Sequence, residues 1–244
     1  MIVAAAVCPH PPLIVPELAG RAAGELDNLR LACGRVLRSL VRTEPDALIV
    51  VGGAAGGGGR PATVMYPPDA AGSFAPWGVD VRVGDGAPVL PLSLAVGRWL
   101  LEREGVHGRV TGFQAVAFDA PPEACARLGR RLAGTAPRVA LLVMADGSAC
   151  LSEKAPGYLD PRARSYDDHV RHVLEGADTQ ALAALDPEEA EELSFAGRAA
   201  LQVLAGAACD ARERGGFRER KVYYEEPYGV GYFVSLWTRR ADAP

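Results

Sequence analysis

Two hydrophobic rhythms alternate along the chain. Residues 1–7 and 47–51 are short runs of almost unbroken apolar side chains, too apolar for a half-exposed strand, and they predict strands buried on both faces. Residues 79–83 and 110–117 also read as strands, and 139–145 as an interior one. Between the runs lie amphipathic stretches. Over residues 25–41, Leu26, Leu29, Leu37 and Leu40 fall near one helical face, while Arg30, Arg35 and Arg38 are left for solvent. Residues 93–103, 122–132 and 165–174 predict further helices. Asp160-Pro161 and Asp186-Pro187 each put a capping carboxylate before a proline at the first helical position. After Asp186 come four glutamates suited to a helix N-terminus, and the apolar stretch through Leu204 packs. Residues 229–237 predict a closing strand, and residues 239–244 a frayed end.

This alternation predicts an α/β fold: one domain over residues 1–244, with a central mostly parallel or mixed sheet and helices packed on both faces. The 244 residues lie within what one core can serve, and no linker or internal repeat divides them. A net charge of -4 gives no footprint for nucleic acid. No apolar run reaches the roughly 18 residues of a membrane helix. The start of the chain is too short and lacks the basic segment of a signal peptide, and the Ala-Ala-Val before Cys8 reads as buried strand rather than a lipoprotein box. Five widely spaced cysteines without a C-x-x-C pair fit reduced thiols, so the expectation is a cytoplasmic protein with neither nucleic acid nor membrane as partner.

Candidate chemistry collects where strands end. His10, in Cys8-Pro9-His10-Pro11-Pro12, leaves the first strand between prolines that fix its backbone. That is a mount for a metal-binding or acid/base imidazole, or simply a capped turn. Asp146 and Ser148, in Ala145-Asp146-Gly147-Ser148, either face a cleft or form a turn. No G-x-S-x-G elbow makes Ser148 a nucleophile. The glycine-rich residues 52–59 lack the lysine of a phosphate loop and read better as a flexible loop. His169 and His172 fit a solvated helix face, and His107 a surface turn.

Together these pieces resemble the class III extradiol ring-cleavage dioxygenases, the subunit-B-like superfamily that includes the Memo-like proteins. The landmarks are Cys8 to Pro12, Asp46 to Gly52, Ala145 to Ser148, Tyr166-Asp167, and Tyr228-Gly229-Val230-Gly231-Tyr232. In active members two histidines and a glutamate hold Fe(II), which leaves positions open for substrate oxygens and dioxygen, and a further histidine is the acid/base. The resemblance makes His10 the first metal ligand and Glu225 or Glu226 the carboxylate. The second histidine's place holds Gly53-Ala54, and the catalytic histidine's place holds Ala149. It therefore implies an incomplete site that binds Fe(II) or another divalent metal weakly, or none. Two readings follow: an oxidoreductase-family enzyme with altered or lost ring cleavage, using a cleft of His10, Asp146, Ser148 and a glutamate, or a non-catalytic member that binds a small molecule or a protein. Active relatives also form oligomers, which makes a homo-oligomer a further expectation of the resemblance.

Overall fold

The computed structural model describes residues 1–56, 61–210, 216–219 and 223–239. Its strands are β1 (Ile2–Cys8), β2 (Ala47–Ala54), β3 (Thr63–Tyr66), β4 (Gly72–Ser73), β5 (Arg82–Val83), β6 (Val110–Ala117), β7 (Val139–Met144), β8 (Phe217–Glu219), β9 (Tyr223–Glu225) and β10 (Tyr232–Arg239). The helices are α1 (Pro16–Ala19), α2 (Asp27–Val41), α3 (Leu92–Arg103), α4 (Pro122–Ala133), α5 (Ala163–Glu175), α6 (Thr179–Ala183), α7 (Pro187–Glu192) and α8 (Arg198–Ala207).

The main sheet runs β3-β6-β2-β7-β1-β10-β8, with β9 also paired to β10. The four central strands β6, β2, β7 and β1 are mutually parallel. Antiparallel β3 and β10 flank them. The sheet is mixed, as expected, and β1 lies in its interior with all seven residues buried. Continuous apolar runs sit in the middle because helices cover both faces. On one face Leu29, Leu37, Leu94 and Leu101 of α2 and α3 pack on Ala4, Ala6, Leu48 and Val50. On the other, Leu128, Val170 and Leu201 of α4, α5 and α8 pack on Val7, Ile49 and Leu141. A single-domain α/β fold results.

Several local expectations change. Residues 79–83 do not join the main sheet. Only Arg82 and Val83 pair, with β4, in a small ribbon packed on α3, because the partner strand is itself two residues long. Asp160 caps no helix directly: its carboxylate accepts from the Arg162 backbone N–H at 2.8 Å in a turn, and α5 begins only at Ala163. Asp186 does cap α7, accepting from Glu188 N and Glu189 N at 2.8 and 3.1 Å. The apolar stretch after it is broken, however, between α7 and α8, where Gly197 presses on Asp146: a Cβ there would lie 2.6 Å from the Asp146 carbonyl. The closing strand starts three residues later than expected, at Tyr232. Residues 240–244, the end expected to fray, lie outside the described residues. β3 and β8, four and three residues long, were not foreseen.

Candidate functional site

The parallel strands deliver their carboxyl ends to one edge of the sheet, where ligands of open α/β sheets bind. His10 follows β1 and Asp146 follows β7, so neighbouring strands bring them together. The His10 backbone N–H donates to Asp146 Oδ1 at 2.6 Å, and the imidazole Nδ1 lies 3.6 Å from the same oxygen. The ring is buried, at 4% exposure, and Nδ1 has no hydrogen-bond partner. Burial pushes the Asp146 carboxyl above the ordinary carboxylate range, and the adjacent His10 pulls it back. Asp146 also bridges to Tyr232 of β10, which fixes the loop after β7.

His10 borders a cavity of about 670 Å³ over the ends of β2, β3 and β6, within the usual range for small-molecule sites. Its walls include Gly53, Tyr66, Trp77, Val89 and Phe118. Among the described residues that line it there is no Lys, Arg, Asp or Glu. Trp77, Val89 and Phe118 are 40, 52 and 40% exposed, large apolar groups left facing solvent at one place. Ser93 at the start of α3 closes one wall by donating its hydroxyl to the Gly53 carbonyl at 2.6 Å.

On the opposite face of the same edge the polar groups are closed in on one another. Asp167 of α5, 1% exposed, accepts from the Ser148 N–H at 2.9 Å and from the Tyr224 hydroxyl at 3.1 Å. The same hydroxyl lies 2.9 Å from Glu226 Oε2. The phenol is thus shared between two carboxyl groups. Glu226 has the Arg164 guanidinium at 2.5 and 3.1 Å. Burial pushes the Asp167 carboxyl up to about 7, against the hydrogen bonds from Ser148 and Tyr224. Gly147 and Gly231 make room for it: a Cβ on Gly231 would sit 1.8 Å from Asp167 Oδ2. Thus three of the landmarks quoted for the resemblance, Ala145 to Ser148, Tyr166-Asp167 and Tyr228 to Tyr232, meet around one structural carboxyl group.

The expected site residues are accordingly divided. His10 and Asp146 are together. Ser148 is fully buried, its hydroxyl donating to the Leu193 carbonyl at 2.8 Å and accepting from Cys150 N at 3.1 Å, so it braces the loop and offers no free hydroxyl to a cleft. The β pleat sends the two glutamates apart. Glu225 pairs in register with Tyr232 and accepts from the Tyr223 hydroxyl at 2.5 Å, with its other oxygen buried and unpartnered. Glu226 is held by Arg164 beside α5. Neither lines the cavity. Tested against Fe(II), these residues do not fit: Gly53 supplies no ligand and lies under the Phe118 ring, and among the described residues no group of three or more His, Cys, Asp or Glu is placed to hold a metal ion.

Of the glycine-rich segment, Gly53 borders the cavity, while residues 57–60 lie outside the described residues. His169, His172 and His107 are exposed, and all five cysteines are free, four of them buried. The sequence reading missed Phe118, Trp77 and Asp167 as determinants of this edge. Asp167 had a usable signal, since it shares the apolar stripe of α5 with Ala163, Tyr166, Val170 and Leu174. Phe118 and Trp77, single aromatics in loops, had none.

The architecture and this edge define an α/β protein with a cavity at the carboxyl ends of its parallel strands. Among solved structures, an uncharacterized protein of Escherichia coli K12, JW3007, shares the fold, with a TM-score of 0.56 at 13% identity over 96% of this chain and 99% of that one. No protein-family model matches the chain, and no curated protein does. No helix among the described residues is long and apolar enough to cross a membrane.

Proposed function

We propose that this chain binds a neutral, mainly apolar small molecule on a scaffold of the class III extradiol type, and that ring cleavage is not its reaction. The observation that carries the reading is the 670 Å³ cavity, which is bordered by the His10 imidazole and lined among the described residues by no Lys, Arg, Asp or Glu. Among the described residues the wall carries no Lys, Arg, Asp or Glu, and such a wall penalises an ionic ligand, which would leave water without a partner. The buried imidazole supplies a polar anchor for a hydroxyl or carbonyl group, and Asp146 positions the loop that carries it. The 3.6 Å between Nδ1 and Asp146 Oδ1 favours a second reading, an acid/base pair acting on the bound molecule, because a small closure would make the hydrogen bond that orients such an imidazole.

Calorimetric titration with 1-alkanols tests the first reading. Saturable binding that Val89→Asp abolishes is the expected result, and binding unaffected by that charge would overturn it. Catechol and protocatechuate offered with Fe(II) should give no ring-fission product. Stoichiometric dioxygen uptake with yellow product would restore the enzyme assignment.

A further inference from the structure

We infer that Phe118 is a side-chain gate that sets the length of ligand the His10 cavity admits, an inference that rests on the binding function proposed above. A second cavity, of about 340 Å³, lies on the opposite face of the sheet edge between β6, α7 and the start of α8, with Phe195 and Ala190 among its walls and Arg198 beside them. Phe118 borders both cavities.

Its backbone is pinned on both sides. The N–H donates to the Ala54 carbonyl at 3.0 Å, and the carbonyl accepts from Arg198 Nη2 at 2.5 Å. The side chain is not pinned in the same way, being 40% exposed. A rotation about its side-chain bonds therefore needs no movement of the strand end, and such rotations of exposed side chains are fast. The ring rests over Gly53, where a Cβ would come within 2.2 Å of Cε1. Glycine at this position is thus a condition of the closed gate. With the ring turned away, the two cavities become one cleft that starts at His10 and ends near the buried Arg198 guanidinium, which donates to the carbonyls of Phe118 and Ala120 and to the Gln202 amide oxygen, with Asp119, Glu188 and Glu191 also lining that end.

The test is the affinity of 1-alkanols from butanol to dodecanol for the wild type, Phe118→Ala and Gly53→Ala, measured by calorimetry. Each methylene that finds apolar wall should tighten binding roughly fourfold. In the wild type the gain stops where the chain meets Phe118. Phe118→Ala removes the partition, and Gly53→Ala drives the ring off its seat, so both should extend the gain by several methylenes. Since Phe118 is half exposed, its truncation leaves the core in place, and the second variant reaches the same end with the aromatic ring still present. The same stopping length in all three proteins overturns the gate while leaving the binding function intact. Absence of saturable binding in all three overturns both.

Discussion

Around Asp167 and around His10 the same sheet edge is built in opposite ways. On the Asp167 side, carboxyl, phenol, guanidinium and backbone amide groups are bonded to one another, and Gly147 and Gly231 admit nothing larger than hydrogen beside them. On the His10 side the described residues of the wall are mostly apolar and include no Lys, Arg, Asp or Glu, a buried ring nitrogen has no partner, and three large hydrophobic side chains face solvent. The first region has its central interactions, those of Asp167 with Ser148 and Tyr224, complete and serves the fold. The second has them incomplete in the way a ligand would complete. The difference shows that position at a strand's carboxyl end does not make a residue functional, because the pleat and the loop direct neighbours such as Glu225 and Glu226 to different surroundings.

The largest effect should come from Gly231→Ala. Its Cβ would overlap Asp167 Oδ2 inside a locked network, and a cost on the order of 3–5 kcal/mol in chemical denaturation follows. A loss below about 1 kcal/mol would mean that the Asp167 side is as adaptable as the cavity side.

The next effect is one of pH. The Asp167 carboxyl titrates near 7 when folded and near 4 when unfolded, so the folded state holds the extra proton between those values. Its contribution is fully present below about pH 4 and is lost as pH rises to about 7, by an amount on the order of 4 kcal/mol at most. Asp167→Asn keeps an acceptor for Ser148 N and a donor toward Tyr224. It should flatten the pH dependence of the denaturation midpoint across that window and stabilise the protein at pH 8. A variant that keeps the wild-type pH dependence across that window would show that the Asp167 carboxyl is not the group raised in the fold.

How much of this was legible beforehand divides along the same line. Unbroken apolar runs such as residues 1–7 and 139–145 revealed the interior strands, because burial on both faces leaves a mark in every residue. The break between α7 and α8 left no such mark: it follows from the close approach of Gly197 to the Asp146 carbonyl, a contact between segments some fifty positions apart. His10 and Asp146 were placed at one edge by strand logic, and they meet there. Ser148 and Glu226 satisfied the same logic and turned out to be spent on Leu193 and Arg164. Strand logic locates the edge and says nothing of what the opposite wall contributes, and Trp77 and Phe118 belong to that wall.

On the cavity side, smaller changes in stability should accompany larger changes in binding. His10→Ala keeps the backbone N–H bonded to Asp146, so stability should fall by about 1–2 kcal/mol, while alkanol affinity should drop about tenfold with loss of its polar anchor. Equal affinity would remove the imidazole from the site. Trp77→Ala, at a 40% exposed position, should alter stability by no more than about 0.5 kcal/mol and weaken binding severalfold. A cooperative loss of fold there would place Trp77 in the core.

The contrast between the two regions can be read in one experiment, a backbone amide chemical-shift titration of the whole chain with 1-hexanol. The account predicts saturable shifts at His10, Gly53, Ala54, Thr63, Val64, Leu92 and Ser93, with little change at Gly147, Ser148, Asp167 and Tyr224. Shifts centred instead on Gly147, Ser148, Asp167 and Tyr224, or no saturable shifts at all, would contradict it.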